Sequence, residues 1–331
     1  RKYGNKIIKM DFNFPTQEDL LAARVRIAGM IHTTPVLTSR LLNALTGAEL
    51  FFKCENFQRM GAFKMRGASN AILQMSEEQR SKGVITHSSG NFAQAVSLSA
   101  SLVDCPALIV MPENAPAVKK AAVRGYGGQI IESSSSPRAR EEMARKTVSD
   151  TNGSFIHPSD DIDVIVGNST AAQELIEEVP NLDMILSPVG GGGLLAGTAL
   201  AAKYFSSGTQ VIGAEPSGAD DAYRSLRDGK IHLSKHPDTI CDGLRTNLGQ
   251  WNFPIIQKLV KEILLVDDSA TIEALKLIFE RMKMVVEPSS AIVLAAVLSK
   301  PDFFQNKRIG CIISGGNIDT AILGNLFEKD D

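Results

Sequence analysis

Lys64 stands between Phe63 and Met65 in the run Gly61-Ala62-Phe63-Lys64-Met65-Arg66-Gly67. An apolar setting disfavours the ammonium form, lowers the pKa and leaves a neutral amine, the form that condenses with a carbonyl. The same residues also suit an exposed lysine whose stem covers apolar surface. A second signal is Gly190, Gly191, Gly192 and Gly193, which follow MILSPV and precede LLAGTALAA. Four glycines leave backbone N–H groups uncovered and permit positive φ, and the helix start behind them adds partial positive charge. A phosphate monoester fits such a place. No Gly-Lys-Ser/Thr follows, as a Walker loop requires, and the spacing is not G-x-G-x-x-G. A tight strand-to-helix turn without a ligand is the plain alternative.

Three further clusters sit at the ends of apolar runs. Thr86-His87-Ser88-Ser89-Gly90-Asn91 offers hydroxyl, amide and backbone donors where a helix begins, which suits a carboxylate or an ordinary N-cap. Ser314-Gly315-Gly316-Asn317 follows RIGCII and is either a second donor loop or a turn. Glu215, Asp220 and Asp221 lie in EPSGADD, where carboxylates can hold a hard divalent cation or form a solvated acidic turn.

The elements that must carry these groups read as alternating strands and helices. Short apolar runs at 50–53, 83–86, 107–110, 129–131, 184–188, 210–214 and 308–313 predict strands. Helical patterning covers 93–102, 117–124, 138–149, 170–178, 194–205 and 270–284. Alternation of this kind predicts an α/β protein with open, twisted, mainly parallel sheets flanked by helices. Loops at the carboxyl ends of the strands are then the place for chemistry. Residues 83–160 form a compact succession of β–α pairs. They predict a small domain inserted into a large one, made from 10–82 plus 161–331.

Composition narrows the function classes. The chain has 331 residues, 44% of them hydrophobic and 22% charged, which excludes a mainly disordered protein. Thirty-five basic and 37 acidic residues give a net charge of −2, unlike a dedicated nucleic-acid binder. Cys54, Cys105, Cys241 and Cys311 are widely spaced and form no C-x-x-C pair, so reduced thiols in a cytoplasmic protein are expected. No apolar run is long enough for a membrane span, and no Cys/His cluster has zinc spacing. The first nine residues, RKYGNKIIK, lack the apolar stretch of a signal peptide and are read as vector-derived or upstream.

In order, FKMRG, SSGN, GGGGLLAG, EPSGADD, VVEPSSA and ISGGN resemble the serine racemase and serine/threonine dehydratase group. These are fold-type II pyridoxal-5'-phosphate (PLP) enzymes, tryptophan synthase β-like, and the resemblance runs from about Thr34 to about Asp319. It implies that Lys64 carries PLP as a Schiff base, with Phe63 beside the ring and Asn91 on its phenolic oxygen. It places the phosphate on Gly190 to Gly193 and Leu194, and Ser314 at the pyridine nitrogen. The substrate carboxylate would meet Ser88, Ser89, Gly90 and Asn91. Glu215, Ala219 (through its carbonyl) and Asp221 would bind Mg²⁺ or Ca²⁺. A homodimer acting on a small amino acid, with ATP as an activator, is also implied.

The implied activity is interconversion of L- and D-serine, with β-elimination of serine or threonine to a keto acid and ammonia. Lys64 is the base on one face, and Ser89 the second base, where many dehydratases carry Ala. The alternative is an L-serine/L-threonine dehydratase or a 3-hydroxyaspartate ammonia-lyase. A metabolite-binding protein on the same fold would not need Lys64. Three positions depart from the group's pattern: Phe92 for the usual His, Gly167-Asn168-Ser169-Thr170 for G-Q-G-T, and Ser159 after His157-Pro158. These departures are expected to alter the substrate pocket and leave the cofactor site alone. Arg140 aligns with a racemase arginine near the substrate, or is a surface helix residue.

Overall fold

The computed structural model describes residues 13–328. Residues 1–9, read above as vector-derived or upstream, lie outside the described residues, as do 10–12 at the start of the expected large domain. Among the described residues the strands are β1 (Val36–Leu37), β2 (Glu49–Cys54), β3 (Val84–His87), β4 (Ala107–Pro112) and β5 (Gln129–Ser133). They continue with β6 (Ser154–Phe155), β7 (Met184–Pro188), β8 (Gln210–Pro216), β9 (Glu262–Val266) and β10 (Arg308–Ile313). One sheet has the order β1-β2-β10-β7-β8-β9, the other β5-β4-β3-β6. Only β1 runs antiparallel to its neighbour; every other pairing is parallel. β7 is buried along its whole length and β10 from its second residue, as expected of apolar strands covered on both faces.

The four-stranded sheet takes all its strands from residues 84–155, and the six-stranded sheet takes strands from both sides of that segment. The helix Lys64–Gln74 belongs to neither sheet and packs against the smaller one. Its Met65, Ala68 and Ile72 share a buried cluster with Val84, Phe92, Val96 and Ile109.

Several elements differ from the sequence expectation, two of them for clear physical reasons. The stretch 270–284 is not one α-helix. It is α-helical over Asp268–Leu277, then π-helical over Ile278–Met282, and stops at Lys283 with φ 59°. The helix Pro288–Ser299 escaped notice because it is buried on nearly every side, so its apolar residues show no period.

A closed cluster of four buried charges fixes the base of the Lys64 helix. Arg66 reaches Glu55 with Nε–Oε2 at 2.7 Å and Glu174 with Nη1–Oε1 at 2.7 Å. Lys53 Nζ donates to Glu174 Oε2 at 2.6 Å and to the Thr34 carbonyl at 2.6 Å. Burial pushes Glu174 up, but Arg66 and Lys53 outweigh it and hold the carboxylate below its ordinary pKa. Two cations and two anions cancel, which is the condition for burying any of them.

Candidate active site

Two chain segments far apart in sequence meet at the start of the Lys64 helix. The Phe63 N–H donates to the Ser314 carbonyl at 2.9 Å, and the Gly316 N–H to the Gly61 carbonyl at 2.9 Å. Gly61 has φ +76°, and a Cβ there would lie 2.7 Å from Asn317 Oδ1, so only glycine fits this turn. Lys64 is thereby set beside the carboxyl end of β10. Its Nζ donates to the Pro158 carbonyl at 2.8 Å and lies 5.0 Å and 5.5 Å from the ring centres of Phe63 and Phe92. Burial lowers the amine from 10.5 to about 8, and the negative charge of Glu287 acts in the opposite sense.

Glu287 is a buried carboxylate coupled to Lys64 that the sequence reading passed over. It sits in VVEPSSA, one of the motifs of the resemblance, yet the pattern assigns it no role. In the structure it is buried, and its two oxygens accept from Asn91 Nδ2 at 3.2 Å and 3.0 Å. Burial raises its carboxyl to about 7, partly offset by the Asn91 hydrogen bond. Asn91 Oδ1 in turn accepts from Asn317 Nδ2 at 2.8 Å. Both ends of the Asn91 amide are therefore engaged, and holding a ring oxygen would require its donor to be shared or released. Ser314 is buried, with Oγ 2.9 Å from Ser290 Oγ.

Ser88, Ser89 and Gly90 form the loop between β3 and the helix Asn91–Ser101, at the carboxyl end of β3. No side chain caps that helix. The Ser89 hydroxyl, half-buried, makes no hydrogen bond among the described residues. Arg140 stands nearby: after burial, its charge is the next cause pushing His87 below its usual pKa. Arg140 Nε is buried and makes no hydrogen bond among the described residues. A cavity of about 370 Å³ adjoins His87, with His157, Phe155, Glu141 and Arg145 in its wall. A larger one, about 600 Å³, lies at Phe14, Arg26 and Asp163 and shares no residue with this constellation.

Each glycine of the 190–193 run is required by a neighbour. A Cβ on Gly190 would lie 2.7 Å from Leu244 Cα, and one on Gly191 would lie 2.3 Å from Ser159 Oγ and 3.0 Å from Thr246 Oγ1. Gly192 has φ +82°, and a Cβ on Gly193 would meet the Ser159 carbonyl at 2.8 Å. No side chain caps the helix Gly193–Phe205, so the first-turn N–H groups stay open toward the cradle. Leu194 is buried and shares a cluster with Phe63, which joins the cradle to the lysine. The 157–160 loop is the hinge of this arrangement. His157 Nδ1 accepts from the Ser159 and Asp160 N–H groups at 3.2 Å and 2.8 Å, so Nδ1 carries no proton. Pro158 holds Lys64 and Ser159 faces Gly191.

This geometry corrects one expectation. Two of the departures, Ser159 and Asn168, were expected to touch the substrate pocket alone, but both lie against the glycine run. Phe92 lies against Lys64 itself and is buried.

Glu215, Ala219 and Asp221 form a separate cluster at the end of β8. Glu215 accepts from the Ala222 and Tyr223 N–H groups at 2.8 Å and 2.7 Å. Burial pushes Glu215 up to about 9 and Asp221 up to about 7. Asp221 Oδ2 is buried without a partner among the described residues. Asp220 points elsewhere, onto Arg224 at 2.9 Å. Among the described residues no three His, Cys, Asp or Glu side chains gather to hold a metal, so a cation here would take two carboxylates, the Ala219 carbonyl and water.

The residues fit PLP on the evidence of the cradle. Open N–H groups and glycines without room for a Cβ suit its phosphate, and an amine lowered to about 8 suits its aldehyde. Comparison with known proteins agrees. The family described as "Pyridoxal-phosphate dependent enzyme" matches residues 27–315. Serine racemase of Dictyostelium discoideum is 46% identical over 317 residues, 95% of this chain and 98% of that protein. L-threo-3-hydroxyaspartate ammonia-lyase of Saccharomyces cerevisiae is 48% identical over 319 residues, 96% and 98% of the two chains. The crystal structure of the Dictyostelium discoideum serine racemase superposes with a TM-score of 0.88 at 47% identity, covering 91% of this chain and 98% of that one. Among the described residues no helix is long and apolar enough to cross a membrane. A family match over most of the chain, relatives of this identity and the shared fold together place the chain among the fold-type II members of the pyridoxal-phosphate-dependent enzyme family.

Proposed function

We propose that this enzyme interconverts L- and D-serine and also eliminates the β-hydroxyl of serine or threonine, giving a keto acid and ammonia. PLP, when bound, supplies the electron sink for both outcomes. Lys64, Phe63, the 190–193 glycines, Leu194, Asn91 and Ser314 would hold it. Lys64 Nζ takes the α-proton. The Ser89 hydroxyl supplies a proton at the same carbon, and Ser88, Gly90 and Asn91 orient the substrate carboxylate. The phenyl rings of Phe63 and Phe92 exclude water from the lysine and so favour its neutral, proton-accepting amine. The observation that carries the reading is a lysine held against Phe63 and Phe92 and lowered to about 8 by burial, together with a half-buried Ser89 hydroxyl that makes no hydrogen bond among the described residues.

The test is to supply L-serine and measure D-serine and pyruvate together. Both products are expected, and Ser89→Ala should suppress D-serine far more than pyruvate. Equal loss of the two, or no D-serine from the unaltered protein, would count against Ser89 as the second proton carrier.

A second reading, a 3-hydroxyaspartate ammonia-lyase, is compatible with Arg140, which aligns with a racemase arginine and so does not choose between the two. A buried guanidinium nitrogen without a partner, next to the Ser88 loop, fits a second carboxylate on the substrate. Two relatives at 48% identity carry hydroxyaspartate names, equal to or above the racemases, so identity does not separate the readings. Ammonia released from L-threo-3-hydroxyaspartate without D-serine from L-serine would select this reading.

At the end of β8, Glu215, Asp221 and the Ala219 carbonyl would hold Mg²⁺ or Ca²⁺. Two carboxylates pushed toward their neutral forms by burial, one with an orphaned oxygen, support a cation there. Homodimeric assembly and activation by ATP are supported by the resemblance to the racemases and are tested by light scattering with and without the nucleotide.

A further inference from the structure

Asn168 is fully buried on the helix Ile162–Glu178, and neither its Oδ1 nor its Nδ2 makes a hydrogen bond among the described residues. Its neighbours in the same turn are satisfied. Ser169 Oγ donates to the Val166 carbonyl at 2.6 Å, and Thr170 Oγ1 to the Gly167 carbonyl at 2.7 Å. A buried carboxamide with both ends idle is costly to leave so unless something else completes it. The direction in which it points identifies the partner. Oδ1 faces the Lys64 helix, 2.6 Å from where a Cβ on Gly67 would be. Nδ2 faces Gly193, 3.4 Å from where its Cβ would be. Gly193 is the first residue of the uncapped helix behind the glycine run. An idle, fully buried donor thus lies against the first residue of the helix behind the glycine run.

We propose that the Asn168 carboxamide donates a hydrogen bond to the phosphate held on Gly190, Gly191, Gly192 and Gly193. This rests on the reading that the glycine run receives the phosphate of PLP. Asn168 would be a cofactor-anchoring residue, one turn of polar chemistry supplied from the side by a third helix. A bond to a dianion in a dry setting is of the strong, charge-assisted kind.

The experiment compares the apo-protein with Asn168→Ala and Asn168→Leu, titrated with PLP and separately with pyridoxal, which lacks the phosphate. Binding is followed by the visible absorbance of the bound ligand and by thermal melting. PLP affinity should fall about 10- to 100-fold in both variants, while pyridoxal affinity stays within about two-fold. The apo-protein of Asn168→Leu should melt at the same temperature as the unaltered one or higher, because an unpaired polar group has been removed, while its PLP-induced rise in Tm shrinks. Asn168→Leu thus separates lost anchoring from lost folding. If the variants keep the full preference of the unaltered protein for PLP over pyridoxal, or lose affinity for both ligands equally, the proposal is overturned. If the unaltered protein itself shows no preference for PLP over pyridoxal, the glycine run is not the phosphate site, and the proposal fails together with that reading.

Discussion

Lys64 offers the sharpest test of how burial poises this site. Its amine falls from 10.5 to about 8 because the side chain lies among Phe63, Phe92 and the helix start, with a single carbonyl as hydrogen-bond partner. At pH 7 an amine with a pKa of about 8 is neutral about 9% of the time, roughly 300-fold more often than an ordinary lysine. The apo-protein should therefore react with an amine-directed acylating reagent at Lys64 with a midpoint near pH 8, read by peptide mass spectrometry. Glu287 opposes the shift, so Glu287→Gln should move the midpoint lower. Stability follows with a defined sign. The charged amine is disfavoured in the folded state, so the apo-fold gains about 3 kcal/mol as pH rises from about 8 to 10.5. Lys64→Met should abolish that rise and stabilise the apo-protein at pH 7, with no gain above pH 10.5. A midpoint at pH 10 or above, or one that rises in Glu287→Gln, would refute the argument that burial, resisted by Glu287, sets the amine.

Three further outcomes follow. Gly191→Ala places a Cβ 2.3 Å from Ser159 Oγ, so PLP affinity should drop at least ten-fold while the apo-protein still folds, as checked by equilibrium binding and circular dichroism. Arg66→Met strands Glu55 as a buried anion and leaves Glu174 with Lys53 alone, and urea unfolding of the PLP-loaded protein should show a loss of about 3–5 kcal/mol. With the cation chelated, Glu215 at about 9 and Asp221 at about 7 keep protons in the folded state that the unfolded chain gives up near pH 4, so stability should fall as pH rises from about 4 to about 9, the Asp221 part ending near 7. Added Mg²⁺ or Ca²⁺ should remove that fall, and a melting temperature indifferent to both cation and pH would exclude the cation.

The motifs were legible because backbone demands leave a mark on residue type. Four glycines are needed at 190–193 because Leu244, Ser159, Leu248 and Asn252 approach too closely for any Cβ. The parallel strands were legible for a similar reason: burial on both faces makes β7 and β10 continuous apolar runs. The helix Pro288–Ser299 was not, since full burial erases the period that marks a surface helix. β9, reading EILLV, closes the sheet edge as a short apolar run that periodicity does not distinguish from a piece of helix.

By itself the sequence determined the chemistry available here: a lysine in an apolar frame, a run of four glycines before a helix, hydroxyl and amide donors after two strands, and a pair of carboxylates. Tertiary structure alone decided who meets whom. Glu287 became part of the site because the loop before its helix is hydrogen-bonded to Gly315, which faces Ala62 beside Lys64. Asn91 acquired Glu287 and Asn317 as partners, and Ser159 and Asn168 were drawn to the glycine run. The physical reason is one of range. Glycine tolerance, strand burial and helix capping act over a few residues and are written in residue type. Hydrogen bonds and charge effects depend on distances of a few ångström between segments about 250 positions apart, such as Phe63 and Ser314, and only packing sets those distances.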